Sequence, residues 1–163
     1  MPMAAIEAIR HHCEALLPTL TTACGSQPAP LPELMMQPTA AVLLKAFLGA
    51  FGGTDFYEPE AMAEYERCFC REDAIHTACE DYRASATIDL VHDRADVAAG
   101  RKLTQPLRVL WGEHGAVARC FDVLSLWRER ALDVSGHALP CGHYLAEEAP
   151  ELVIAEAQTF FTV

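Results

Sequence analysis

ALPCGHYLAEEAPE, residues 138–151, decides how this chain is read. A short apolar run over residues 137–141 has the length and bounds of a buried strand. Gly142 permits a tight turn, and His143 stands directly behind it. Glu147 and Glu148 then fall in the first turn of a helix expected over residues 147–161, where negative charge is favourable. A histidine just past the carboxyl end of a parallel strand sits where open α/β sheets bind ligands.

Upstream, Leu107, Val109, Leu110 and Trp111 form another short apolar run between Pro106 and Gly112, as expected of a parallel strand buried on both faces. Residues 120–132 read as a helix, with Phe121, Leu124, Leu126, Trp127 and Leu132 apolar. Residues 101–163 are therefore strand–helix–strand–helix, and the fold class is α/β. Two parallel strands do not complete a sheet, so the pattern reads as the end of a larger α/β domain.

Residues 40–100 read as helical. AAVLLKAFLGAF (40–51) is apolar and closed by Gly52-Gly53, Pro59 opens the next helix, residues 72–86 make a third, and Asp93 to Ala99 a short fourth. Residues 28–38 hold four prolines in eleven positions and are expected to be an extended connector. An amphipathic helix is expected over residues 3–17.

Acidic residues number 23 against 12 basic, giving −11 at pH 7. Such a field repels phosphate backbones and excludes nucleic acid as a partner. No apolar run is long enough to span a bilayer, and the first residues lack a signal peptide's basic start and apolar core, so a cytoplasmic location is expected. The seven cysteines are an odd number and read as reduced thiols. Cys68-x-Cys70 and His76-x-x-Cys79 do not have the spacing of a zinc site, so no metal and no cofactor is expected.

Four segments carry a family resemblance: QPAPLPE (27–33), CEDYRASATIDLVHDRADVAAGRK (79–102), VLWGEHG (109–115) and LWRERALDVSGHALPCGHYLAEEAPE (126–151). Together they resemble the fluoroacetate/haloacetate dehalogenase branch of the α/β-hydrolases, in its C-terminal half only. The resemblance implies three parts: residues 1–26, which do not match; residues 27–100, the later part of a helical cap and its return; and residues 101–163, the last two parallel strands and helices. It implies hydrolytic removal of halide from a small 2-haloacid, with an aspartate forming an ester and His143 activating the water that hydrolyses it. Tyr82 matches a cap tyrosine that helps hold the halogen. Phe51 falls where the family carries a pocket tryptophan and would line an apolar wall without an indole N–H. A homodimer is also implied.

The sequence departs from the family in what it lacks. No Gly-x-Asp-x-Gly, Gly-x-Ser-x-Gly or Gly-His-Asp-Arg-Gly elbow occurs, nor the arginines that follow such an aspartate. Gly115 stands where many α/β-hydrolases place the triad acid, leaving Glu113 and Asp122 as nearby carboxylates. The chain is thus expected to be truncated and inactive alone, with residues 1–26 a foreign start from a frameshift, a truncated gene or a misplaced start codon. Two other readings stand: a non-catalytic helical binding module, and one piece of a split hydrolase completed by an N-terminal fragment that supplies the nucleophile.

Overall fold

The computed structural model describes residues 27–161, so the helix expected over residues 3–17 lies outside the described residues. These divide into two compact units: residues 27–47 with 60–100, and residues 48–59 with 101–161.

The first unit is helical: α1 (Leu31–Met36), a 3₁₀ turn (Gln37–Thr39), most of α2 (Ala40–Gly49) and of α3 (Pro59–Phe69), then α4 (Glu72–Ala86) and α5 (Ile88–Ala98). The proline-rich stretch is thus not the extended connector its composition suggests. Pro32 sits in the first turn of α1 and Pro38 in the first turn of the 3₁₀ helix, positions where no backbone N–H is required. α5 also starts well before Asp93, at Ile88, directly after the break at Thr87. In α4, acidic Glu72 and Asp73 open the helix and Arg83 closes it, matching its dipole. Ile75 and Cys79, one turn apart on α4, pack with Met36 and Ala40 as the core of this unit. Gln37 Nε2 donates to the Cys70 carbonyl (3.1 Å), fixing the 3₁₀ turn against the end of α3.

The second unit runs β1 (Leu107–Gly112), α6 (Ala116–Cys120), α7 (Val123–Arg128), β2 (Val134–Leu139), α8 (Leu145–Glu148) and α9 (Pro150–Phe161). β1 and β2 pair in parallel, Leu107 opposite Val134 and Gly112 opposite Leu139. β2 begins three residues before the expected start at 137, because Ser135, Gly136 and His137 give it the mixed character of an edge strand rather than an apolar run. Gly136 has φ +155°, and a Cβ there would meet the Val109 carbonyl oxygen at 1.9 Å, so only glycine lets the strands close.

The helix expected over 120–132 is shorter, Val123–Arg128, and a separate short helix, Ala116–Cys120, precedes it. Asp122 causes the break: its side chain accepts from the Ser125 N–H (3.1 Å) and from the Ser125 hydroxyl (2.9 Å), which starts α7 afresh. That backbone N–H is also the main reason its carboxyl is held below its ordinary value. Asp122→Ala is expected to cost about 1 kcal/mol, read as a fall in denaturant midpoint that Asp122→Asn largely avoids. The final helix is likewise divided, because Pro150 opens α9. Glu156 of α9 faces Arg108 of β1 (3.7 Å) and His137 of β2 (3.5 Å), tying the last helix to both strands.

Candidate active site

The site is built where both strands end. Beyond β1 the chain turns through Gly112-Glu113-His114-Gly115, and beyond β2 through Pro140-Cys141-Gly142-His143. Backbone hydrogen bonds join the two turns: Glu113 N–H to the Leu139 carbonyl (2.8 Å) and His114 N–H to the Cys141 carbonyl (3.0 Å). The turns touch so closely that a Cβ on Gly112 would lie 1.5 Å from the Gly142 carbonyl oxygen. His143 is therefore carried on a turn fixed by its neighbour.

Its imidazole stacks on Phe51, with ring centroids 4.3 Å apart and planes 29° from parallel. Phe51 belongs to the same unit as His143. α2 ends at Gly49, the Gly53 N–H closes back on the Gly49 carbonyl (3.0 Å), and Gly53 takes φ +87°, which returns the loop sharply. Phe51, Phe56 and Tyr57 on this loop meet His143 and Tyr144 in one aromatic group, with Tyr144 4.9 Å from His143 and 5.7 Å from Tyr57 between centroids. Burial pushes the Tyr144 phenol above its ordinary value, and the Tyr57 hydroxyl opposes part of that rise. Tyr57, Tyr144 and Phe56 escaped the sequence reading. Their signal was the aromatic-rich run FGGTDFY, residues 51–57, and the tyrosine directly after His143.

Tyr82 lies on α4 in the helical unit, half-buried, its phenol raised mainly by burial and further by Asp81. The structure thus brings Phe51 and His143 together in one unit and describes Tyr82 in the other. Asp122 is committed to capping α7, which removes it as a histidine partner; Glu113 is exposed. Arg83 is held at three points rather than standing free on the surface of α4. Its Nη2 donates to Glu33 Oε1 (2.6 Å), its Nη1 to Glu80 Oε1 (2.6 Å) and its Nε to the Gln27 carbonyl (2.8 Å). Among the described residues, Glu33, His76 and Glu80 are the group whose ligand atoms gather closely enough for a metal ion, within 4.8 Å. The guanidinium bound to both carboxylates already supplies their positive charge.

Comparison with known proteins agrees with this architecture. No family model matches the chain. A fluoroacetate dehalogenase from Burkholderia sp. is 32% identical over 127 residues, covering 77% of this chain and 41% of that protein. A solved structure from Nostoc sp. PCC 7120, provisionally assigned as an α/β-hydrolase, superposes with a TM-score of 0.85 at 41% identity, over 97% of this chain and 54% of that one. A provisionally assigned epoxide hydrolase from Pseudomonas aeruginosa gives 0.79 at 33% identity, over 91% of this chain and 49% of that one. The chain thus spans about half the length of the proteins it matches, or less. It belongs to the α/β-hydrolase superfamily and carries the C-terminal part of that fold. Within the superfamily it resembles the fluoroacetate dehalogenase branch.

Proposed function

We propose that this chain supplies the water-activating histidine of a hydrolase that cleaves the carbon–halogen bond of a haloacetate. In this reading a carboxylate oxygen of an aspartate, supplied outside these 163 residues, attacks the carbon bearing the halogen. Halide leaves with the bonding electrons, and an aspartyl ester remains. His143 takes a proton from water as the hydroxide adds to the ester carbonyl, and collapse frees the hydroxyacid and the aspartate. The observation that carries the reading is His143 itself, on the turn beyond β2 and stacked on Phe51. The stack sets the orientation of the ring, and the aromatic group around it offers an apolar wall that keeps bulk water from the ester.

A partner follows from the same reading. β1 carries the apolar residues Leu107, Val109, Leu110 and Trp111 yet pairs with one strand among the described residues. α9 is apolar but buries no residue, with Leu152 41%, Ile154 55% and Phe161 80% exposed. Among the described residues, a strand open on one edge and a helix that leaves Leu152, Ile154 and Phe161 exposed suit a polypeptide that brings the remaining strands and the nucleophile.

Halide release from fluoroacetate and chloroacetate tests this. The expected result is none from the pure chain, and release when a polypeptide carrying the first strands and the aspartate is added. With His143→Gln in that mixture, the aspartate-bearing chain should gain the mass of the ester and keep it. Release by the pure chain overturns the proposal that the nucleophile comes from elsewhere. One observation favours a second substrate class. The Phe51 side chain has no N–H to offer a departing halide, and opening an epoxide releases none. Turnover of an epoxide but of neither haloacetate by the same mixture would replace the first reading with that one.

A further inference from the structure

Glu148 has no part in the reading above, yet its carboxylate grips the histidine turn from both sides. Its Oε2 accepts from the Gly142 N–H at 2.5 Å, and its Oε1 accepts from the Tyr144 N–H at 3.0 Å. These are the N–H groups immediately before and after His143. The backbone completes the grip, because the Glu148 N–H donates to the Tyr144 carbonyl at 2.9 Å. Both backbone polar groups of Tyr144 are therefore engaged by Glu148, which shares the carbonyl with the Glu147 N–H.

A glutamate that reaches back from the first turn to the residue capping a helix is a familiar device. Here the carboxylate passes over the cap residue Tyr144 and spans His143 as well. The space it fills explains the residue before the histidine. A Cβ on Gly142 would lie 2.7 Å from Glu148 Oε2 and 2.8 Å from Oε1. Two charge-assisted hydrogen bonds converging on one carboxylate fix the peptide planes on either side of a residue, and with them the direction of its side chain.

We propose that Glu148 is the positioning residue of His143: its carboxylate, bound to the N–H groups of Gly142 and Tyr144, holds the backbone so that the imidazole stays against Phe51. The geometry stands without any reaction; that it serves catalysis rests on the function proposed above.

Glu148→Gln keeps the volume but turns an amide NH₂ toward one of the two N–H donors, so one grip is lost. Proton NMR of the chain reads the consequence. The His143 ring protons, shifted upfield by the Phe51 ring, are expected to move toward ordinary histidine values in Glu148→Gln, as they do in the control Phe51→Leu. The β1 and β2 amide resonances should stay in place. Gly142→Ala displaces the same carboxylate without removing its charge and should give the same loss of upfield shift. It decides the matter if the glutamine variant fails to fold. Unchanged His143 ring shifts in Glu148→Gln, or in Gly142→Ala where that variant decides, overturn the positioning role. In the reconstituted mixture, ester hydrolysis should slow about 10–100-fold while ester formation keeps its rate. Loss of both steps alike overturns the role for Glu148 in catalysis. Absence of any turnover instead counts against the proposed function and leaves the NMR result to judge the positioning role.

Discussion

Gly112→Ala is expected to destabilise the chain by about 3 kcal/mol, at the upper end of what overpacking costs. The added Cβ would lie 1.5 Å from the Gly142 carbonyl oxygen, 2.6 Å from its carbonyl carbon and 2.8 Å from the Cys141 oxygen. All three are backbone atoms, so no side-chain rotation relieves the clash. Either the β1 turn or the β2 turn must move, and their mutual hydrogen bonds, Glu113 N–H to Leu139 and His114 N–H to Cys141, are what would break. A fall in melting temperature on the order of 10 °C is expected, together with loss of the His143–Phe51 stack. Gly53→Ala is the control. Gly53, unlike Gly112, has positive φ, +87°, but nothing lies within 4 Å of the site of its Cβ. Its cost should be about 1 kcal/mol of backbone strain, with the stack intact. A Gly112→Ala protein that melts within a degree or two of the parent would mean that the two turns are not held in contact.

That contact marks the boundary of what was legible in the sequence. β1 could be read because Leu107, Val109, Leu110 and Trp111 give a dense apolar run interrupted by Arg108 alone, close to what a strand covered on both faces shows. β2 was misplaced because Val134-Ser135-Gly136-His137 has no such run, and an edge strand needs none. α1 was missed because prolines were counted rather than placed: Pro32 and Pro38 occupy helix first turns. His143 stood out through the glycine before it and the strand before that. Its stack on Phe51 joins residues far apart in the chain, and no spacing rule could have paired them. Glu148 was visible only as an acidic residue early in a helix. That it reaches backwards to Gly142, rather than serving the helix dipole, depends on the path of the turn.

Arg83→Met is expected to weaken the helical unit by about 3 kcal/mol at pH 7, because it leaves a buried carboxylate without its partner. Arg83 and Glu33 are each 16% exposed at the side chain and meet at 2.6 Å. The second bond, to Glu80, joins a group 54% exposed and adds little. Burial alone would raise the Glu33 carboxyl, but hydrogen bonds from Arg83, its own backbone and His76 outweigh it and bring it to about 2, against an ordinary 4.5. A folded-state value depressed in this way contributes stability that is complete above the unfolded value and is lost as pH falls from about 4.5 through about 2. That contribution is complete at pH 7 and partly lost at pH 3.5, which lies between the two values. Denaturant melts of the parent, Arg83→Met and Glu33→Gln between pH 7 and pH 3.5 check this. The parent should lose its advantage over both variants as the solution becomes more acid, and Glu33→Gln should lack this component of the pH dependence, since it has no carboxyl at that position to protonate. A gap between parent and variants that stays constant across that range would mean that Arg83 holds α1 to α4 by packing alone, with no charge on Glu33 for it to meet.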